Sequence, residues 1–159
     1  MTYHSTLTRP LLVDAPRPTP VAMKFTLKDK TSDLLTREVR LLRDCVAVAR
    51  AQWDFSLDAA VVLPAQLQML AVFNTGEFGM RQAMALIRTT FSAHVDEDGM
   101  IWDGSGDFTP LEWEAIPLRR AFIEAAPVRL GLVEDPADWP YSSAQRRMPQ
   151  GRALGVAVA

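Results

Sequence analysis

The chain has little cysteine, little histidine and little net charge, and each shortage removes a class of function. A single cysteine, Cys45, excludes an internal disulfide and makes the cytoplasm the default compartment. The two histidines, His4 and His94, lie far apart and form no metal-ligand spacing. With 17 basic and 19 acidic residues the net charge is −2, so the surface as a whole does not suit phosphate binding and any nucleic-acid contact must be local. No apolar run approaches the roughly 20 residues of a membrane helix, because Pro64, Gln66 and Gln68 interrupt the longest one. The first residues lack a charged region followed by an apolar one, so no secretion signal is expected.

What is present is about one domain's length of chain, 159 residues, with 48% hydrophobic residues to bury. Met1 to Pro20 reads as a proline-rich arm, since Pro10, Pro16, Pro18 and Pro20 force extended backbone. The body spans residues 21–147, and residues 148–159 form a C-terminal tail. Within the body, alternation predicts strands over Val21–Leu27, Phe55–Leu63 and Leu67–Phe73, with a short fourth strand at Met100–Trp102. Apolar residues at three- and four-residue spacing predict helices over Asp33–Trp53 and Met80–His94, joined to the third strand by a glycine-containing loop at Asn74–Gly79. Thr109-Pro110-Leu111-Glu112 has the pattern of a helix start, with Glu112 as its capping carboxylate. A further helical segment runs from Pro117 to Ala126, and Pro127 ends it. This order predicts an α+β fold, a ferredoxin-like antiparallel sheet with helices packed on one face.

One strand has site-like contents. Gln66 and Gln68 point to one face of the third strand while Leu67 and Met69 point to the other. Glutamines neither titrate nor bind divalent metals well, so the frame and its contents do not match. Cys45 sits among apolar residues and reads as inert filler. Glu114 and Glu124 read as parts of a solvated helix face.

Two segments resemble the REP-associated tyrosine transposases, a family with the HUH single-tyrosine fold. Asp58 to Leu70 is similar to that family's valine-rich strand and proline turn before His-hydrophobic-His. Phe122-Ile123-Glu124-Ala125-Ala126-Pro127-Val128-Arg129-Leu130-Gly131-Leu132-Val133 is similar to its Tyr-Ile-His-x-Asn-Pro-Val-Lys-x-Gly-Leu-Val block, and Trp139-Pro140-Tyr141-Ser142-Ser143 to the tail that follows. Ile87-Arg88 and Phe91 match a helix with an Ile-Lys pair before an aromatic residue. The resemblance implies an HUH transposase-like fold over roughly Val21 to Arg146. It also implies a chemistry in which two histidines hold a divalent metal and a tyrosine attacks the scissile phosphate of single-stranded DNA.

Here Gln66 and Gln68 stand at the histidine positions and Phe122 at the tyrosine position. No catalytic residue, metal site or cofactor is therefore expected. Tyr141 falls at an aromatic position of the family's tail and is read as packing on Trp139. The expected function is a catalytically inactive transposase-like binding or regulatory module, acting through protein interaction or local binding of structured DNA or RNA; the alternative is an active enzyme that nicks and joins single-stranded DNA. Candidate nucleic-acid-binding residues are Arg81 and Arg88, which share one helix flank, with Arg119, Arg120, Arg129, Arg146 and Arg147. The resemblance allows a homo-oligomer, since members of that family can be dimeric, but no element here specifies one.

Overall fold

The computed structural model describes residues 17–97, 99–104 and 106–147, excepting the Arg147 side chain. The arm up to Pro16, with Tyr3 and His4, and the tail from Met148 lie outside the described residues. The period-two stretches form β1 (Thr19–Thr26), β2 (Phe55–Val62) and β3 (Gln66–Phe73). With β4 (Asp107–Pro110) they make one sheet in the order β2-β3-β1-β4, in which every neighbouring pair is antiparallel. The helices are α1 (Leu34–Arg37), α2 (Val39–Trp53), α3 (Gly76–His94), α4 (Ile116–Glu124) and α5 (Ala126–Arg129). Strand, helix, strand, strand, helix, strand, helix is the order the sequence predicts. Among the described residues no helix is long and apolar enough to cross a membrane.

Alternation along the two central strands sends Met23, Phe25, Leu67, Met69 and Phe73 to one face, where they are buried. There α2 contributes Leu42, Cys45, Val46 and Ala49, and α3 contributes Met80, Met84, Ile87 and Phe91. Each large side chain so buried stabilises the fold by about 1.5–3 kcal/mol. Burial also pushes the Cys45 thiol pKa up, with Asp44 adding to the effect, as befits an inert core thiol.

A register shift between Leu57 and Ala59 places a bulge at Asp58, which reverses the alternation of β2. Beyond it, Ala59, Val61 and Leu63 face away from α2 and α3 and join Leu70, Ile123 and Ala126 in a second, smaller core. Helices therefore cover both faces of the sheet, not one as the sequence suggested, with α4 lying over β2 and β3 on the second face.

Five local expectations are corrected. The fourth strand is Asp107–Pro110, not Met100–Trp102; Trp102 makes a single bridge to Leu27 and its indole N–H donates to the Arg88 carbonyl and the Ser92 hydroxyl, 3.1 and 2.9 Å. Thr109 and Pro110 close that strand, so they start no helix; α4 starts at Ile116 with Pro117 in its first turn, and Glu112 makes no side-chain cap. The predicted helix from Asp33 to Trp53 is broken at Glu38, whose φ of −109° and ψ of 36° leave helical space. The second long helix begins a turn early, at Gly76, and Pro127 lies in the first turn of α5 rather than ending α4.

Candidate functional site

Gln66 and Gln68 do share a face of β3, the one opposite α2 and α3. In the paired register Gln66 faces Thr26 and Gln68 faces Lys24 of β1. The amides form a chain: Gln68 Nε2 donates to Gln66 Oε1 at 2.5 Å, and Gln66 Nε2 donates to Thr26 Oγ1 at 2.9 Å. Gln68 is buried, at 7% exposure. The metal that the resemblance implies at these positions does not fit this donor set. One amide oxygen already accepts a hydrogen bond from the neighbouring amide, and both are neutral donors that bind divalent ions poorly. Among the described residues no group of three or more His, Cys, Asp or Glu side chains is placed to hold a metal ion.

Phe122 lies on the same side of the sheet. Because α4 covers β2 and β3, the half of that face built by β1 and β4 is left open as a groove of about 1090 Å³. Lys24, directly opposite Gln68, lines one wall; Arg119, Phe122 and Arg129 line the other. The Phe122 ring is half exposed. The Arg129 guanidinium carbon sits 3.8 Å from the ring centroid and Arg129 Nη1 donates to the Phe122 carbonyl at 2.6 Å, while Arg119 lies 6.0 Å from the centroid. The arrangement is an exposed aromatic ring flanked by two arginines, in a groove that Lys24 and the carboxylate of Asp107 also line, able to stack a planar group and pair with an anion.

The other candidate arginines are elsewhere. Arg120 makes a bidentate pair with Asp58 at the β2 bulge, 2.7 and 2.8 Å, which raises its pKa and ties α4 to the sheet. Arg81, on α3 and so on the opposite face, pairs with Glu77 at 2.9 Å and lies over the Phe108 ring at 4.8 Å. Arg88, also on α3, is part-buried with Nη1 sealed from solvent, and burial pushes its pKa down. Arg146 is exposed beside α2, and the Arg147 side chain lies outside the described residues. Of the six whose side chains are described, the fold brings Arg119 and Arg129 together at Phe122.

Sequence reading missed two features and misread a third. Lys24 lies within the predicted strand Val21–Leu27 with no motif around it, and the cross-strand register alone places it beside the glutamines. The partnership of Asp58 with Arg120 spans 62 residues and leaves no local signal. Glu124 is buried rather than solvated and accepts from the Ser143 hydroxyl at 2.5 Å, while Ser143 Oγ accepts from the Ala60 N–H at 3.0 Å. The Tyr141 expectation holds: its ring packs edge-on against Trp139 at 5.6 Å, and the Trp139 indole N–H donates to the Val62 carbonyl.

No protein-family model matches the chain. A REP-associated tyrosine transposase of Escherichia coli (strain K12) is 26% identical over 132 residues, covering 79% of this chain and 76% of the relative. The solved structure of a REP-associated tyrosine transposase bound to a REP hairpin has the same fold, with a TM-score of 0.74 over 84% of this chain and 81% of that one, at 21% identity. The chain is thus similar in sequence, over most of its length, to a REP-associated tyrosine transposase and shares the four-stranded antiparallel fold of the solved one.

Proposed function

We propose that this transposase-related chain binds a nucleic-acid hairpin with an unpaired flank and does not cut it. The observation that carries the reading is the coincidence, on one face of the sheet, of unreactive groups with a groove lined by three cations and one carboxylate, Asp107. Phenylalanine has no hydroxyl to attack a phosphate, and two hydrogen-bonded amides offer no metal to polarise one. The ring of Phe122 can still stack a base, and Lys24, Arg119 and Arg129 can neutralise the phosphates beside it. The hairpin bound by the solved relative supports the choice of ligand. The acidic total makes any such contact a local one.

Titration of a labelled hairpin at several salt concentrations tests the reading. Binding should weaken with salt, and Arg119→Glu with Arg129→Glu should lower the slope of log K against log salt by about 1.4, two contacts at roughly 0.7 each on a single strand. Absence of binding at low salt overturns it. A protein partner is the second reading, favoured by exposed apolar side chains in the same segment: Trp113, Leu118, Leu130 and Leu132. Co-purification of a protein with the full chain, unaffected by nuclease, would favour that reading.

A further inference from the structure

A second cleft, of about 420 Å³, opens on the other face of the sheet, between α2, the edge strand β2 and the segment 140–146. Its volume falls in the roughly 300–1,000 Å³ range of small-molecule sites. Small side chains make the space, Ala47 on α2 and Ala60 on β2. Val46, Leu57 and Val62 supply an apolar wall, and Tyr141 stands among the lining residues. Tyr141 is held in place because its carbonyl accepts from the Val62 N–H at 2.8 Å and its ring packs on Trp139.

Charge is one-sided. Arg43, Arg50 and Arg146 all line this cleft, and no Asp or Glu does so among the described residues. Arg43 and Arg50 are seven apart on α2 and so lie on one helix face. Arg50 Nε donates to the Phe55 carbonyl at 3.2 Å, which orients that guanidinium at the cleft. Three like charges repel one another across a partly apolar site, and an anion placed among them relieves the repulsion.

We propose that this cleft binds a small amphipathic carboxylate, its head on the guanidiniums of Arg43, Arg50 and Arg146 and its apolar body against Val46, Leu57 and Val62. The cleft and the Phe122 groove lie on opposite faces, so this inference stands apart from the hairpin reading. The probe is decanoate, titrated into the full chain by calorimetry and by amide chemical shifts, with decanol as the uncharged control. Saturable decanoate binding is expected, with shifts at Ala60, Val62 and Tyr141. Loss of charge-assisted hydrogen bonds in Arg43→Gln with Arg50→Gln should weaken it by about tenfold or more. Both replaced side chains are exposed, so the fold should persist, which the melting temperature checks. Ala47→Phe, which fills the mouth and keeps the arginines, should abolish binding as well. The proposal is overturned if decanoate does not saturate, if decanol binds as tightly, or if the double arginine variant keeps its affinity.

Discussion

Replacing Phe122 by alanine separates a binding platform from a structural ring. The ring is 50% exposed and its nearest cation, Arg129, sits 3.8 Å from the centroid. Truncation removes an exposed cation–π contact of about 0.5–1 kcal/mol together with the buried half of the ring. A loss near 1 kcal/mol lowers the melting temperature of a domain this size by about 2–5 °C, so the chain stays folded. Binding should suffer more. Stacking of one base on an aromatic side chain contributes about 1–3 kcal/mol, which raises the dissociation constant by a factor of about 5 to 150. Fluorescence anisotropy with a labelled hairpin carrying an unpaired flank measures this directly. Stacking is uncharged, so plots of log Kd against log salt should remain parallel to those of the unaltered chain, in contrast to the arginine variants. Phe122→Trp should retain the affinity. A dissociation constant unchanged in Phe122→Ala, or a change in slope alone, would refute stacking on this ring.

Three further outcomes follow from the same geometry. Arg120→Ala leaves Asp58 without its bidentate partner at 2.7 and 2.8 Å and should cost about 1–3 kcal/mol in chemical denaturation, with hairpin affinity per folded molecule unchanged. Gly106→Ala should lower the unfolding free energy by about 1–2 kcal/mol, because Gly106 has φ +90° and a methyl there would meet Met84 Cε at 2.9 Å and Arg88 Nη1 at 3.0 Å. Lys30 holds the Asp103 carboxyl below its ordinary pKa of 3.8, so their 2.7 Å pair stabilises the fold above that value and ceases to do so as pH falls through the lowered one. Lys30→Met should therefore be less stable than the unaltered chain at pH 6, and the gap between the two denaturation midpoints should narrow in strong acid to what the lost Lys30 Nζ bond to the Leu27 carbonyl, 2.9 Å, leaves.

The parts of the fold legible in the sequence are those that local periodicity determines. Alternation placed β1, β2 and β3 within a residue or two and put Gln66 and Gln68 on a common face, because side-chain direction follows from strand geometry alone. The strand Asp107–Pro110 was not legible: four residues without alternation pair with β1 only because the turn through Gly104 and Gly106, both at positive φ, returns the chain to the sheet edge. Thr109-Pro110 satisfies a helix-start pattern and an edge strand equally well, since the fixed φ of proline suits either, and strand pairing decided. The arginines show the same limit. Helical spacing places Arg81 and Arg88 on one flank, yet nothing in it tells which face of the sheet that helix covers. Arg119 and Arg129 come to Phe122 because α4 and α5 pack on the other side. The buried Glu124 was misread because its donor, Ser143, is supplied by a distant segment.

Binding without cleavage is tested most directly by incubating the full chain with an end-labelled hairpin and Mn²⁺ or Mg²⁺, then running the products on native and denaturing gels. If Phe122, Gln66 and Gln68 stand, as the resemblance implies, where a reactive tyrosine and two histidines would, the label should be retarded on the native gel and run at its full original length on the denaturing one. A shortened strand, or a protein–DNA adduct that survives denaturation, would contradict it.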